Sequence, residues 1–214
     1  MTRLFLVRHG ATVWHAENRY ASSSDVPLDR HGYAQAERLA VWASGAGLAA
    51  IWCSPLNRAR ETAAPAARAV GLEPHIDDRL REIDFGQIEG KTMAEAEQLF
   101  PEEIRRFKAD PAAYPMPGGE DPYQAARRAV SALHDIAAPR PHGPVLVVAH
   151  NTLIRLALCS LLAIPLARYR TVFPTVRNGA LTEIQLENET ASLLQYNCPL
   201  DSVQQPSDQE SGYA

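Results

Sequence analysis

Cysteine is scarce in this chain, which has only Cys53, Cys159 and Cys198 among its 214 residues. Their wide spacing contains no CxxC pair, so neither a zinc knuckle nor a dithiol redox couple is indicated. Cys53 and Cys159 each lie in an apolar run, where a thiol behaves as a small hydrophobic group. We therefore expect reduced cysteines and, with them, a cytoplasmic protein.

Long apolar runs and an excess of one charge are missing as well. The run from Leu153 to Leu166 is interrupted by Arg155 and is shorter than the roughly 18 residues that a membrane helix requires. The apolar run near the N-terminus is too short for a signal peptide, so we expect neither export nor a membrane partner. A formal net charge of −4 supplies no basic field, which argues against nucleic acid as a partner.

What the chain does contain is an alternation of strand and helix patterns. Short apolar runs indicate buried strands at 4–7, 50–53 and 145–149, and alternating residues on both sides of Asn188 indicate a terminal hairpin. Helical patterns lie at about 29–46, 57–70 and 151–163 and in the segment that follows Asp121. This alternation predicts an α/β fold with helix, sheet and helix layers and a mostly parallel central sheet.

The domain organisation is simple. We interpret residues 1–201 as one domain, because a chain of this length and composition is typical of a single globular unit. Residues from about 89 to 121 carry short helical patterns and several prolines without a core pattern of their own, so we expect a lid-like insertion over the site. The polar residues 202–214 are typical of a disordered tail.

Polar residues follow each predicted parallel strand at the point where it ends. In strand order they are Arg8 with His9, the segment from Ser54 to Arg58, and His150 with Asn151. Ligands of open α/β sheets bind beyond the carboxyl ends of the strands, so we expect one site here. Arg58 lies in the first turn of a predicted helix, where the helix N-terminus repels a cation. This placement is favourable when the arginine and the helix N-terminus both face an anion. A guanidinium and helix N–H groups together bind phosphate oxygens.

Several motifs follow one another along the chain: RHGAT at 8–12, DVPL at 25–28, SPLNRARETA at 54–63, Glu82 followed by FGQIEG, and VVAH at 147–150. In this order and spacing they resemble the histidine phosphatase superfamily, to which phosphoglycerate mutase belongs. The resemblance covers residues 3–197. It implies a phosphoglycerate mutase-like fold and an enzyme that transfers phosphoryl groups.

The resemblance also implies a role for each motif residue. His9 becomes a phosphohistidine, Glu82 protonates the leaving oxygen, and the phosphoryl group is bound by Arg8, Arg58 and His150. The chemistry agrees, because a neutral imidazole is nucleophilic near pH 7 and phosphoryl transfer needs mainly positioning and charge neutralisation. The cations would replace magnesium, and the sequence has no aspartate cluster or HExxH motif, so we expect no metal and no cofactor.

Some assignments stay open. Asp84 competes with Glu82 for the role of acid, although the family's spacing from the glutamate to the Phe-Gly pair favours Glu82. His15 stands where the family commonly has asparagine, so a phosphate contact and a structural role are equal alternatives for it. Further departures lie at 21–22, at Asp29 and at Asn151. We expect a partly polar pocket that binds a small phosphorylated metabolite and is built from Asn151, His15, Tyr20, Ser22, Ser23, Ser24, Tyr114 and Met116.

The predicted function is that of a metal-independent phosphomonoesterase, a histidine acid-type phosphatase. The alternative is a 2,3-bisphosphoglycerate-dependent phosphoglycerate mutase with the same intermediate. The short chain and the segment FGQIEGK favour the phosphatase branch. A silent binding module would be expected to lack at least one of the five motif residues, and a dinucleotide-binding domain would need a glycine-rich turn after the first strand. The oligomeric state stays open, with a homodimer as one option.

Overall fold

The computed structural model describes residues 1–138, 142–188 and 190–200. A six-stranded sheet has the order β3-β2-β4-β1-β5-β6. The strands are β1 (Thr2–Arg8), β2 (Ala50–Cys53), β3 (His75–Ile76), β4 (Val145–Ala149), β5 (Leu181–Glu187) and β6 (Thr190–Cys198). Strands β1 to β4 pair in parallel, and the hairpin of β5 and β6 adds two antiparallel strands at one edge. The predicted α/β fold with a mostly parallel sheet is confirmed.

Helices connect the strands, and their starts follow from local side-chain chemistry. They are α1 (Arg30–Gly45), α2 (Asn57–Val70), α3 (Met93–Leu99), α4 (Pro101–Ala109), α5 (Pro122–Ala137), α6 (Asn151–Leu161) and α7 (Tyr169–Val172). Asp29 caps α1 by accepting from the Gly32 N–H at 2.7 Å, and Asp121 caps α5 by accepting from the Tyr123 N–H at 2.8 Å. No helix of the described residues is long and apolar enough to span a membrane.

The core lies on both faces of the sheet because successive strand residues point to opposite sides. On one face Leu4, Leu6 and Val147 pack among residues of α5 and α6, and on the other Phe5 and Val7 pack among residues of α1 and α2. All five residues of β4 are buried, as expected for a central parallel strand. Layers of helices on both faces leave the strand ends as the place where polar groups can gather.

The segment 89–121, expected to lack a core pattern, contributes to the main core. Its residues in that core are Ala96, Ile104, Phe107, Ala112 and Met116. Helices α3 and α4 are too short to show a clear period, so the sequence did not reveal this packing. The short β3 and α7 escaped prediction for the same reason. The predicted disordered tail, 202–214, lies outside the described residues.

Candidate active site

The ends of three strands bring the predicted polar residues together. Strands β1 and β2 flank β4, and the register pairs Arg8 with Ala149 and Cys53 with Val148. The His9 N–H donates to the Ala149 carbonyl and the Ser54 N–H to the Val148 carbonyl, both at 3.0 Å. His9, Ser54 and His150 therefore lie side by side at the carboxyl ends of β1, β2 and β4.

His9 is held in one orientation. Its Nδ1 lies 2.7 Å from the Gly10 carbonyl oxygen, so Nδ1 donates a hydrogen and Nε2 carries the lone pair. The His150 ring lies 5.1 Å away between centroids. Burial, His150, Arg58 and Arg8 together hold the pKa of His9 well below 6.5. The imidazole is thus neutral near pH 7, with Nε2 available as a nucleophile.

A close approach of two backbones explains the glycine after His9. A Cβ atom on Gly10 would lie 2.7 Å from the Gly32 carbonyl oxygen at the start of α1. The Gly10 N–H donates to the Thr62 hydroxyl at 2.9 Å, and that hydroxyl donates to the Arg58 carbonyl at 2.6 Å. This chain of bonds ties the first turn of α2, and with it Arg58, to the loop that carries His9.

Three buried nitrogen atoms close to His9 have no partner among the described residues. They are Nε of Arg8, Nε of Arg58 and Nδ1 of His150. The His150 Nε2 lies 2.8 Å from the Ser54 hydroxyl. The terminal nitrogens of the two arginines contact main-chain carbonyl oxygens and, in the case of Arg8, also His15. Leaving a buried donor unsatisfied costs about 1–3 kcal/mol. His150 carries a donor at Nδ1 when its Nε2 accepts from the Ser54 hydroxyl. The charges of Arg8 and Arg58 and the ring of His150 act on the His9 imidazole, and an oxyanion beside His9 would accept hydrogen bonds from such donors.

Arg58 and Glu89 organise the loop at 21–24. The two terminal nitrogens of Arg58 donate to the carbonyls of Ser24 at 2.9 Å and Ser22 at 2.7 Å. Glu89 accepts from the N–H groups of Ser22 and Ser24 and from the Ser23 hydroxyl. Ser22 and Ser23, expected to contact the substrate, are thus hydrogen-bonded to Glu89 and, at the Ser22 carbonyl, to Arg58. Neither serine lines the cleft described below.

Glu82 lies at the N-terminus of α6. Its carboxylate accepts from the N–H groups of Thr152 at 3.0 Å, Leu153 at 2.9 Å and Ile83 at 3.0 Å. The first N–H groups of a helix lack partners within the helix, so a carboxylate is well placed there. The competing Asp84 is exposed and accepts from the Gly86 N–H at 2.7 Å. Glu82 lines the cleft and Asp84 does not, which favours Glu82 as the acid.

His15 contacts the guanidinium of Arg8. Its Nε2 lies 2.6 Å from a terminal nitrogen of Arg8, and its Nδ1 accepts from the Thr12 N–H at 2.9 Å. Burial and the charge of Arg8 lower the pKa of His15 to about 4. Asn178, which the sequence did not single out, donates to the His9 carbonyl at 2.7 Å. Both residues brace the loop that carries the nucleophile.

A cleft of about 290 Å³ opens beside His9. Its lining is Arg8, His9, Thr12, His15, Asn18, Arg19, Tyr20, Ala21, Glu82, Phe85, Met93, Asn151, Thr152, Arg155 and Arg170. Arg58 and His150 are buried and lie outside this lining. Tyr114 and Met116, expected in the pocket, are not part of it. Arg155 was missed, although a lone charge inside the apolar α6 is the signal that could have found it.

A comparison with protein families assigns the chain. Residues 4–199 match the model of the histidine phosphatase superfamily, branch 1. The chain belongs to this superfamily. Relatives of this chain are named as phosphatases and as probable phosphoglycerate mutases, and the resemblance inferred from the motifs is confirmed.

Three proteins of known sequence or structure are similar to this chain over much of its length. Phosphoserine phosphatase 1 of Hydrogenobacter thermophilus is 31% identical over 197 residues, or 92% of each chain. The Mycobacterium tuberculosis bifunctional protein Rv2228c is 40% identical over 158 residues, which are 73% of this chain and 43% of that protein. The chain thus spans less than half the length of that relative. The solved structure of mycobacterial glucosyl-3-phosphoglycerate phosphatase Rv2419c, 27% identical, superposes with a TM-score of 0.84 and covers 92% of this chain and 100% of that chain.

Among the described residues, no group of three or more His, Cys, Asp or Glu side chains could hold a metal ion. The titratable groups around His9 are instead arginines, the two histidines His15 and His150, and the carboxylate of Glu82.

The lowered pKa of His9 gives a testable expectation. In the free enzyme its imidazole should stay neutral as the pH falls through 6.5, because burial and neighbouring cations oppose its protonation. Acid inhibition through His9 should thus begin below the pH at which an ordinary histidine protonates. NMR of ¹⁵N-labelled imidazole, with the signal assigned by its loss in His9→Asn, measures the midpoint. A midpoint at or above 6.5 would contradict this electrostatic picture.

Proposed function

We propose that this protein is a metal-independent phosphomonoesterase that hydrolyses a small phosphorylated metabolite through a phosphohistidine on His9. The observation that carries the proposal is the environment of His9. A neutral imidazole with a free Nε2 lies among buried, unpartnered donors of Arg8, Arg58 and His150. Those donors suit the equatorial oxygens of a phosphoryl group, whose charge must be neutralised during transfer.

In the proposed first step, the His9 Nε2 attacks phosphorus while the bond from phosphorus to the ester oxygen breaks. The leaving alkoxide takes a proton from the carboxyl group of Glu82, so a neutral alcohol departs. The positions of Glu82 and His9 on the same cleft support this division of roles.

In the proposed second step, water attacks the phosphohistidine. The bond from phosphorus to Nε2 breaks, a proton from water returns to Glu82, and inorganic phosphate leaves. His9 and Glu82 are then back in their starting states, so no cofactor is consumed. A mutase would differ only here, since the phosphoryl group would pass to a hydroxyl group of a second substrate in place of water.

Two neighbouring features extend the proposal. Segment 89–121 is proposed to act as a cover, because its Met93 lines the cleft and Glu89 holds the loop at 21–24. We place the enzyme in the cytoplasm, where the free thiols of Cys53, Cys159 and Cys198 stay reduced. Relatives that are named as phosphatases support hydrolysis, and 30% identical relatives that are named as probable phosphoglycerate mutases support the alternative of transfer.

Turnover under chelation tests the function. The enzyme should hydrolyse p-nitrophenyl phosphate at an unchanged rate after exhaustive treatment with EDTA, because side-chain cations neutralise the phosphoryl charge. The measurement is phosphate release, before and after dialysis against the chelator. Loss of activity that magnesium or zinc restores would overturn the metal-independent mechanism. Phosphoglycerate isomerisation faster than phosphate release would identify a mutase instead.

A further inference from the structure

The cleft carries more positive charge than the transfer of one phosphoryl group requires. Within the described part of the chain, its lining contains one carboxylate, that of Glu82, and four guanidinium groups, those of Arg8, Arg19, Arg155 and Arg170. A concave surface with such an excess of one sign concentrates ligands of the opposite sign. An arginine of this cleft is available to a ligand anion when no carboxylate of the protein forms an ion pair with it.

Two of the four arginines are already occupied. Arg8 lies at the nucleophile, where the proposed function uses it. Arg19 forms ion pairs with Glu17 at 2.8 Å and Glu95 at 2.9 Å. The carboxylate of Glu82 accepts from three main-chain N–H groups, and its charge acts to raise the pKa of Arg155, against the effect of burial, without an ion-pair contact. Arg155 and Arg170 remain without an ion pair among the described residues.

Arg155 is a buried cation whose hydrogen bonds reach only neutral groups. It is 6% exposed, and it donates to the carbonyls of Asn151 at 3.3 Å and Phe173 at 3.4 Å, both long contacts. Its guanidinium also lies 5.5 Å from the centre of the Tyr169 ring. A buried charge is costly unless an opposite charge accompanies it. Among the described residues, no carboxylate lies within ion-pair distance of Arg155.

Arg170 extends from α7 onto the same cleft. Its guanidinium lies 5.3 Å from the centre of the Phe107 ring and interacts with the hydroxyl groups of Tyr20 and Tyr169. In the described part of the chain it, too, has no carboxylate in ion-pair contact. Arg155 and Arg170 both line the cleft, and the charge of Arg170 is, after burial, among the causes that lower the pKa of Arg155. An anion that contacts both guanidinium groups would offset this repulsion.

We propose that Arg155 and Arg170 bind a second anionic group of the substrate, a proposal that rests on the phosphatase function. Arg155 lies four residues after Asn151, hence on the same face of α6 and about 6 Å further along the helix. The second anion is accordingly only a few bonds from the phosphoryl group. The substrate class is a short phosphomonoester whose alcohol part carries a carboxylate or a second phosphate.

Matched small substrates test this proposal. The probes are phosphoglycolate, its carboxamide, and the bisphosphate of ethylene glycol, with p-nitrophenyl phosphate as a probe that has no second anion. We measure kcat and KM for the wild type, Arg155→Met, Arg155→Lys and the surface control Arg127→Met on α5. Wild type should prefer phosphoglycolate over the carboxamide by about 10- to 100-fold in kcat/KM, the value of charge-assisted hydrogen bonds.

Arg155→Met should remove most of this preference through KM while changing the carboxamide and aryl rates by less than about threefold. Arg155→Lys should retain part of it, and Arg127→Met all of it. A loss confined to the bisphosphate would identify phosphate as the second anion. Equal losses for every probe, or no preference in the wild type for either dianionic probe, would overturn the proposal. If p-nitrophenyl phosphate is not hydrolysed, the phosphatase proposal fails, and calorimetric binding of the same probes decides the second site.

Discussion

His9→Asn should lower kcat by about 10⁴-fold or more for every phosphomonoester, whatever its leaving group. Removal of an activated nucleophile typically has an effect of this size or greater. The reason is geometric, since Nε2 of His9 is the free imidazole nitrogen among the donors of Arg8, Arg58 and His150. Steady-state phosphate release with one alkyl and one aryl substrate measures the effect.

A matched surface histidine serves as the control. His31 is exposed on α1 and does not line the cleft, so His31→Asn should retain the wild-type rate. Both variants should keep the wild-type melting temperature to within a few degrees. A His9→Asn enzyme with a tenth of the wild-type rate would show that another group accepts the phosphoryl group.

Glu82→Gln should slow alkyl phosphates by about 10²-fold or more and p-nitrophenyl phosphate far less. General-acid contributions are typically about 10²- to 10⁴-fold. An alkoxide is a poor leaving group that needs a proton in the transition state, whereas a nitrophenolate leaves without one. The measurement is kcat/KM for both substrates.

The environment of Glu82 dictates the controls. Its carboxylate oxygens accept from three main-chain N–H groups. In Glu82→Gln an amide NH2 group replaces one of these oxygens and cannot accept, so at least one main-chain N–H loses its partner. This unpaired donor should lower the free energy of unfolding by about 1–3 kcal/mol, and thermal unfolding measures the change. Asp84→Asn changes the neighbouring exposed carboxylate and should leave both rates near wild type. If Asp84→Asn showed the leaving-group dependence, or Glu82→Gln slowed both substrates equally, the acid would be misassigned.

Local signals explain why much of the fold could be predicted. The β4 residues form an uninterrupted apolar run that is rich in valine, and α2 is followed by Gly71, whose positive φ of 68° favours glycine. The capping aspartates Asp29 and Asp121 mark helix starts through bonds that span only two or three residues. Such contacts lie within a short window of sequence, so pattern alone is enough to identify them.

The site was predictable only in part, because its decisive contacts join distant parts of the chain. Glu82 reaches the N–H groups of Thr152 and Leu153 across about 70 residues, a contact that depends on where α6 begins in space. The family motifs named Arg58 without indicating that its terminal nitrogens hold the serine loop. Arg155 belongs to none of the motifs, and its lone charge in an apolar helix did not show which part of the fold it faces; its place in the cleft follows from the structure.

The most direct test of the account is to locate the phosphoryl group on the enzyme during turnover. Glu82→Gln supplied with p-nitrophenyl phosphate is quenched within its first turnovers under alkaline conditions, which preserve a phosphorus–nitrogen bond, and its peptides are mapped by mass spectrometry. We predict a phosphoryl group on the peptide that contains His9, on the imidazole, and none in His9→Asn. Phosphorylation of any other residue, or turnover with unmodified His9 throughout, would contradict the mechanism.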